Sequence, residues 1–480
     1  MRLDFMMKQM IRNFMKQHHM VNENETIIVA TSGGPDSMAL LHLLCQMREE
    51  LGLALIAVTV DHQLRGKASE EDVAYVASVC NAWGITHESV RVDVRTYVAQ
   101  NKLSTQVAAR ILRYEALHRM MKKYRASSVA MGHHGDDQIE TMLMSLTRAT
   151  TLNGMLGIPV KRPFHEGHII RPLLCVTKAM IEQYCENEGI QPQIDLSNFD
   201  PSYERNNIRK TIVPPLKERY DQLHRTVQRY TESVQDDERY LQSEAKKMFR
   251  HVCTIRQEKA EIAIQLDLFM SYPVSLQRRC YRLTLDYLYK QPSQNLSHVH
   301  EGLFMELLQS NIPNKRIQFP ENVYIEKAYR TLYVYKESTV EKAEQELLLE
   351  DMEQTRTLSN GDRVSLTYID NIDAIHNSKF TYVCKKEEIV FPLHIRTRRD
   401  GDRMTYNGLD GTKKLKDIFM DEKVPRHLRD DKFIVTDHTG EILWLIGIRK
   451  NEKINKKKQG LFIMLTYEQH GKGNEEDNYA

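Results

Sequence analysis

Continuous apolar runs alternate with helical patterns over residues 1–210. The runs with the character of strands are ETIIVATS (25–32), LALIAVTVD (53–61), HESVRVDV (87–94), SSVAMGHH (127–134) and HIIRPL (168–173). The segments Ser37–Leu51 and Ser69–Trp83 between them have the spacing of helices. Apolar strands separated by helices predict an α/β fold with a mostly parallel, doubly wound sheet. Ligands of such sheets bind beyond the carboxyl ends of the strands.

The pattern changes after residue 210. Val213-Pro214-Pro215 interrupts it, and long charged stretches with helical spacing follow, which predict a helical middle domain over residues 211–345. Short alternating strands such as RVSLTYI and EILWLIGI then predict a small α+β C-terminal domain over residues 346–470. The polar residues 471–480 are expected to form a disordered tail.

Composition narrows the class of protein. The 480 residues contain 67 Lys and Arg against 65 Asp and Glu, a net charge of +2, which excludes a uniformly basic coat protein but not one basic face. The longest aliphatic run, Leu51–Val60, is too short to span a bilayer, and the N-terminal segment lacks the apolar core of a signal peptide. Seven scattered cysteines without a C-x-x-C pair argue against a zinc or iron–sulfur site and favour a reducing cytoplasm.

The first motif with chemical content is Ser32-Gly33-Gly34-Pro35-Asp36-Ser37, between a predicted strand and a predicted helix. Two glycines let the backbone approach a phosphate closely, and a helix N-terminus offers free N–H groups. Asp36 suits a phosphate loop only if it holds Mg²⁺ or a cationic group of a substrate. The string lacks the Gly-Lys-Ser/Thr of a Walker A loop. The alternative is a plain glycine turn with an aspartate cap.

Two further motifs offer cations. VDHQLR (60–65) ends the second strand, where His62 and Arg65 could touch a nucleotide or RNA; a simple strand cap is the alternative. In ARILRYEAL (109–117), Arg110 and Arg113 share one helical face, which suits a polyphosphate or the phosphate of a flipped base. A solvated helix face is the competing interpretation.

The string GHHGDDQIET (132–141) supplies carboxylates at another strand end. Asp137 and Glu140 are three residues apart and point the same way on a helix, so the pair could bind Mg²⁺ or an amine. His133 could donate to a phosphoryl oxygen. Adjacent histidines without H-x-x-x-H spacing make zinc improbable. RPLL (171–174) and the polar DLSN…ERNNIR (195–209) complete the set, the latter with a hydrated linker as its alternative.

In this order, the six strings resemble those of the tRNA(Ile)-lysidine synthetases, a branch of the PP-loop ATPases. The resemblance covers residues 32–209 and continues in IRTRRDGDR (395–403), KKLKDIF (413–419), Val424-Pro425 and Leu443-Trp444. The middle region matches only in position and helical character.

The resemblance implies a ligase that adenylates the wobble cytidine of the CAU-anticodon isoleucine tRNA with ATP and then joins free L-lysine to cytosine C2, giving lysidine, AMP and pyrophosphate. It further implies a PP-loop catalytic domain in residues 1–210, with tRNA-binding domains after it, and Mg²⁺ held by Asp36. A homodimer stays open. The implied catalytic residues are Asp36, Arg113, His133, Asp137 and Glu140, with Asp137 and Glu140 on the lysine. The implied ATP contacts are Ser32 to Ser37 together with Asp61 and His62. The implied tRNA contacts are Arg65, Arg205, Arg209, Arg396, Arg398, Arg403, Lys413, Lys414 and Lys416.

Two other functions compete. A PP-loop tRNA thiolase would use the same loop, but it needs catalytic cysteines, and Cys45 and Cys80 lie on predicted helices away from the motifs. A non-catalytic RNA-binding protein would not need Asp36, Asp137 and Glu140 beside an anion loop.

Overall fold

The computed structural model describes residues 2–147, 156–193, 204–256, 260–289, 298–312, 314–337, 346–370, 378–406, 408–409, 411–451 and 461–470. The predicted tail 471–480 and the segment Asp195–Asn198 lie outside the described residues. Backbone contacts divide the chain into two compact units, Met1–Tyr240 and Leu241–Ala480. Within the described residues, no helix is both long and apolar enough to cross a membrane.

The first unit is built on a six-stranded sheet in the order β3-β2-β1-β4-β6-β5. Its strands are β1 Thr26–Thr31, β2 Ala54–Asp61, β3 Thr86–Arg91, β4 Ser128–Ala130, β5 Lys161–Phe164 and β6 Gly167–Ile170. All neighbours pair in parallel except β5, which forms an antiparallel hairpin with β6. The predicted mostly parallel sheet is therefore confirmed, with one antiparallel edge strand added.

Helices cover both faces of this sheet. The helices of the chain up to residue 252 are α1 Arg2–Gln17, α2 Pro35–Met47, α3 Lys67–Trp83, α4 Val94–Asn101, α5 Thr105–Tyr124, α6 Gly135–Thr147, α7 Lys178–Asn187, α8 Glu204–Asn207, α9 Val213–Arg219 and α10 Leu223–Val252. Alternation along β1 shows why the strands are apolar throughout: Ile27 and Val29 pack with α1, α2 and α7, while Ile28 packs on the opposite face with Leu117 of α5.

Residues 211–240 pack on the first unit. Lys217 of α9 binds the carboxylate of Asp136 at 2.8 Å, and Gln138 of α6 donates to the side chains of Gln228 and Thr231 of α10 at 3.1 and 3.0 Å. These contacts place the start of the predicted middle domain beside α6. The domain bounds at residues 210 and 345 stay a proposal.

The second unit begins with a five-stranded antiparallel sheet in the order β7-β8-β11-β10-β9 and three helices. The strands are β7 Cys253–Arg256, β8 Glu261–Gln265, β9 Lys315–Phe319, β10 Val323–Ala328 and β11 Thr331–Lys336; the helices are α11 Leu266–Met270, α12 Val274–Tyr289 and α13 His298–Gln309. The helices agree with the prediction for the middle region, but the sheet was not anticipated. Its strands are short and rich in polar residues, so the sequence alone gives them a weak signal.

The remainder of the second unit is mainly antiparallel sheet, in agreement with the predicted α+β domain. One sheet has the order β12-β16-β19-β20-β21, a second β13-β14-β22-β15, and a third pairs β17 with β18. The strands are β12 Glu346–Leu349, β13 Gln354–Thr357, β14 Arg363–Ile369, β15 Thr381–Lys385, β16 Leu393–Thr397, β17 Arg403–Met404, β18 Lys413–Lys414, β19 Phe433–Thr436, β20 Ile442–Leu445, β21 Arg449–Lys450 and β22 Phe462–Glu468; the helices are α14 Leu415–Asp421 and α15 Arg426–Arg429. Trp444 lies fully buried in their core.

His427 of α15 is held between two buried carboxylates of the preceding sheet. Its Nε2 lies 2.8 Å from Glu261 of β8, and its Nδ1 lies 3.1 Å from Glu326 of β10. The imidazole also stacks on Tyr335, with the ring centroids 4.2 Å apart. Burial alone would lower the pKa of His427, but the two carboxylates raise it above its usual value. The charged triad ties α15 to the five-stranded sheet.

Candidate active site

The glycine motif forms a tight loop between β1 and α2. Gly33 has φ of +81°, a left-handed conformation that glycine adopts without strain, and α2 begins at Pro35 with Gly34 as its N-cap. The hydroxyl of Ser37 accepts from the backbone N–H of Ser32 at 3.1 Å and donates to the carbonyl of Gly34 at 3.0 Å. The loop is thus shaped from within, and the first N–H groups of α2 stay available for an anion.

Gly132, which precedes the carboxylate-bearing helix α6, packs against the glycine loop. A Cβ at this position would lie 3.1 Å from the carbonyl carbon and oxygen of Asp36 and 3.2 Å from the nitrogen of Ser37. Only glycine therefore lets the end of β4 pack against the first turn of α2. This contact brings the carboxylates of α6 next to the glycine loop, as the sheet topology predicts.

Asp36 is half-buried and already neutralised. Its Oδ1 accepts a hydrogen bond from Nζ of Lys178 at 2.6 Å, and Nε2 of His134 lies 3.8 Å from the same oxygen. Lys178 is the first residue of α7, and the sequence analysis did not select it. It lies 142 positions from Asp36, and no motif marks it as a partner.

Two arginines cover the Asp137–Glu140 pair. Glu140 is 1% exposed and accepts from Nε of Arg209 at 2.6 Å and from Nε of Arg205 at 2.8 Å. Asp137 receives both guanidinium groups as well, at 3.1 and 3.2 Å. Arg205 comes from α8 and Arg209 from the π-helical turn Ile208–Ile212. The structure therefore places both arginines, predicted as tRNA contacts, on the predicted lysine-binding carboxylates.

The protonation states of this site are set by burial and charge. Burial alone would raise the pKa of Asp137, but His134 and Arg205 lower it to about 2. The loss of hydration around His133 lowers its pKa to about 3, despite the opposing carboxylate of Asp137. Asp137 is thus ionised and His133 neutral over the whole physiological range, and Nδ1 of His133 is buried without a hydrogen-bond partner among the described residues.

The remaining predicted nucleotide contacts differ in whether their side chains already have a hydrogen-bond partner in the protein. Asp61 is buried and accepts from the backbone N–H of Gln63 at 2.9 Å, so its carboxylate stabilises its own turn. His62 is half-buried, and its Nδ1 has no hydrogen-bond partner. Burial and the neighbouring Arg113 lower the pKa of His62. Arg113 itself is exposed on α5.

Seven predicted tRNA contacts lie outside the glycine loop and the Asp137–Glu140 pair. Some of these cations are paired with a group of the protein, and others are not. Arg396 is 8% exposed and forms a bidentate pair with Asp402, with both N···O distances at 2.9 Å. The guanidinium of Arg396 is buried and holds the turn that ends at Asp402, so a tRNA phosphate would have to displace Asp402, and the predicted contact stays a prediction. Lys414 and Lys416 are exposed and form no ion pair within the described part of the chain.

The other predicted tRNA cations have partners in the protein. Arg65 pairs with Asp72 at 2.6 Å, Arg398 with Asp430 at 2.6 Å, and Lys413 with Asp421, while Arg403 donates to the hydroxyl of Thr412 at 2.9 Å. These groups are exposed or half-buried, so a tRNA would have to compete with an existing contact.

Cys80, Cys175 and Cys185 do not offer a nucleophile for sulfur transfer. Cys185 lies against the carbonyl of Pro35 in the glycine loop, at 3.8 Å, but burial raises the pKa of its thiol to about 11. Burial likewise raises the pKa of Cys80 to about 11 and that of Cys175 to about 12. Such thiols stay protonated and unreactive. Within the described residues, no group of three or more His, Cys, Asp or Glu is arranged to hold a metal ion.

Comparison with known proteins gives matches over nearly the whole chain. A family model described as a PP-loop domain matches residues 3–216, and one described as the TilS substrate C-terminal domain matches residues 393–464. A tRNA(Ile)-lysidine synthase of Bacillus cereus is 41% identical over 463 residues, which cover 95% of this chain and 96% of the relative. The proteins of that name from Oceanobacillus iheyensis and Bacillus subtilis are 40% and 36% identical and cover 96% of this chain each, and 99% and 98% of their own lengths.

Solved structures match parts of the chain. The crystal structure of a TILS C-terminal domain is 33% identical and covers 26% of this chain and 97% of that chain, with a TM-score of 0.24. The U34-tRNA thiolase NcsA from Methanococcus maripaludis is 17% identical and covers 48% of this chain and 79% of that chain, with a TM-score of 0.43.

Proposed function

Because the chain belongs to the tRNA(Ile)-lysidine synthase family, we propose that its first unit attaches free L-lysine to the wobble cytidine of an isoleucine tRNA with a CAU anticodon. The protein is an ATP-using ligase that forms a carbon–nitrogen bond on tRNA. Cytoplasmic location is part of the proposal, since free lysine, ATP and tRNA meet there. The observation that carries it is the Asp137–Glu140 carboxylate pair beside the glycine loop.

The proposed reaction has two steps. Cytosine O2 first attacks the α-phosphorus of ATP, the bond to the bridging oxygen of the β-phosphate breaks, and pyrophosphate leaves. The ε-amine of lysine then attacks C2, the C2–O2 bond breaks, and AMP leaves with O2. The attacking nitrogen gives up a proton to a carboxylate or to solvent. Adenylation is needed because O2 alone is a poor leaving group.

For the first step, the glycine loop binds the leaving pyrophosphate. The free N–H groups at the start of α2 and the hydroxyl of Ser32 point to where this charge develops. Mg²⁺ fits here because it commonly binds through one carboxylate and substrate phosphates, and Asp36 would hold it so that it neutralises the pyrophosphate. His133 is neutral and thus donates one N–H to a phosphoryl oxygen, while Arg113 supplies positive charge.

For the second step, the carboxylate pair binds the ε-ammonium group of lysine. The two guanidinium groups of Arg205 and Arg209 occupy the positions that an ammonium group would take, so lysine must displace them. His134 lowers the pKa of Asp137 independently of the two arginines, and a carboxylate with a lowered pKa is a poor proton acceptor, so Asp137 acts as an ammonium binder rather than as the base.

The test is direct. Purified protein is incubated with a CAU-anticodon isoleucine tRNA, ATP and lysine, and the digested tRNA is analysed by mass spectrometry. We expect a lysine adduct on the wobble cytidine, formed with one AMP per adduct and absent when either lysine or ATP is left out. AMP formation without a lysine adduct, or a sulfur-containing nucleoside, would overturn the proposal.

A further inference from the structure

Three arginines converge on Tyr114 beside the candidate active site. Tyr114 and Arg110 belong to α5, Arg162 to β5, and Arg171 directly follows β6. The Cζ atoms of Arg110 and Arg162 lie 5.1 and 5.2 Å from the centroid of the Tyr114 ring. We call these four residues the arginine recess. Cation–π contact with one ring fixes both guanidinium groups in place.

The chain itself does not neutralise the arginine recess. Across the described residues, Arg110, Arg162 and Arg171 form no ion pair with a carboxylate. Arg162 donates to the carbonyl of its neighbour Pro163, at 3.3 Å, and to Tyr114. Arg171 is 3% exposed and donates to the carbonyl of Pro159, yet its Nε is buried without a partner among the described residues. A buried cation without a counter-charge is costly to the fold, which points to an anion supplied from outside.

The electrostatics of the recess agree with this unbalanced charge. Burial lowers the pKa of Arg171 to about 10, and the like charges of Arg162 and Arg110 contribute. Burial alone would raise the pKa of Tyr114, but Arg110 and Arg162 lower it overall. Both directions indicate a local excess of positive charge.

His133 connects the recess to the carboxylate site. Its imidazole interacts electrostatically with Asp137 on one side and with Arg171 and Arg110 on the other. His133 is thus within electrostatic range of both the recess and the carboxylate cluster, and no residue of the recess belongs to the glycine loop. An anion in the recess would sit next to a reacting group bound at His133, not in the position of the pyrophosphate.

We propose that the arginine recess binds an RNA backbone phosphate adjacent to the target cytidine and so positions the flipped base over the glycine loop. This inference rests on the proposed function. An RNA phosphate is favoured over a phosphate of ATP because the glycine loop and α2 already provide the triphosphate site, and because a base taken out of its stack leaves its flanking phosphates exposed. Arg110, Arg162 and Arg171 bind the anion; Tyr114 is a positioning residue.

The experiment compares Arg162→Gln with Arg119→Gln, which removes an exposed arginine of α5 outside the recess. Filter binding of the CAU-anticodon tRNA is measured at several salt concentrations, and ATP binding is measured without tRNA. For Arg162→Gln we expect about tenfold weaker tRNA binding and a salt slope lower by about one unit, with ATP affinity unchanged. Arg162→Lys should recover the slope but not the full affinity, and Arg119→Gln should match the wild type.

An RNA-side substitution locates the contact. An anticodon stem-loop with one neutral methylphosphonate beside the target cytidine should bind the wild type about tenfold more weakly, and Arg162→Gln should not distinguish it from the unmodified RNA, as a coupled pair requires. Weaker ATP binding with unchanged tRNA binding would assign the recess to the triphosphate and overturn the proposal, as would no change in either ligand. Because binding is measured without turnover, failure of the wild type to form lysidine would reject the proposed function separately.

Discussion

Two charged clusters lie next to the glycine loop, and they differ in whether the chain neutralises them. Asp36, Asp137 and Glu140 all have a cation within 3.2 Å, whereas the arginine recess contains three guanidinium groups without a carboxylate within the described residues. The first cluster can bind a ligand only by exchanging one partner for another. The second binds its ligand without giving up an ion pair. We therefore expect lysine to compete with the protein's own arginines for the carboxylates. A phosphate, in contrast, should bind the arginine recess without displacing any group of the protein.

The largest expected effect is on AMP formation, and it comes from Asp36, the ion-paired carboxylate in the glycine loop. Asp36→Ala leaves Lys178 without its carboxylate and removes the group proposed to hold Mg²⁺, so AMP formation should fall by at least about 1,000-fold. Affinity for tRNA should stay within about twofold of the wild type, because Asp36 is outside the arginine recess. AMP release and filter binding measure the two quantities. Asp236→Ala, which removes an exposed partner of Arg239, is the control. Full AMP formation by Asp36→Ala would contradict the assignment.

Removing an arginine that competes with lysine should strengthen lysine binding. Arg209→Gln leaves Glu140 and Asp137 with fewer partners, so lysine should bind the tRNA-free protein about tenfold more tightly. Calorimetric titration with lysine measures this, with Arg219→Gln as a matched control on α9. Weaker binding would show that Arg209 shapes the lysine site instead of occupying it.

These contrasts also show what the sequence could and could not reveal. Apolar runs and motif order correctly predicted the parallel sheet, the glycine loop and the neighbouring carboxylates, and the family resemblance is confirmed by a relative that covers 95% of this chain. The pairing of Glu140 with Arg209 spans 69 positions and has no local signal. The burial of Arg396 was missed for the same reason, since a cluster of basic residues in the sequence does not show which of them forms an ion pair with a carboxylate.

The His427 triad offers a test of the paired state within the second unit. The pKa of His427 is raised above 6.5, so its stabilising contribution is complete below that value and is lost as the pH rises through the raised pKa. The pKa values of Glu261 and Glu326 are lowered, so their contributions are lost only as the pH falls below 4.5. Denaturant unfolding should show a loss of about 1–3 kcal/mol on the alkaline side that is absent in His427→Gln. Equal alkaline losses in both proteins would exclude a charged triad.

The smallest effect is expected from the free cations of the second unit. Reversing Lys414 and Lys416 to Glu should weaken tRNA binding a few-fold and lower its salt slope by about two units. Lys413→Gln should change little, since Lys413 is already paired with Asp421. Filter binding over a salt series measures both. Unchanged slopes would mark these lysines as a solvated face and leave recognition to the first unit.

The most direct test measures lysine KM and tRNA Kd in Glu140→Gln and Arg162→Gln side by side. Glu140→Gln removes a buried charge from the proposed ammonium site, and it should raise the lysine KM by about 100-fold while leaving the tRNA Kd unchanged. Arg162→Gln should weaken tRNA binding about tenfold and leave the lysine KM at saturating tRNA unchanged. Each variant should thus affect one ligand only, because the carboxylate cluster binds lysine and the arginine recess binds tRNA. If Glu140→Gln changes only the ATP KM, or if either variant changes both ligands equally, the division of the site into a lysine cluster and a phosphate recess is contradicted.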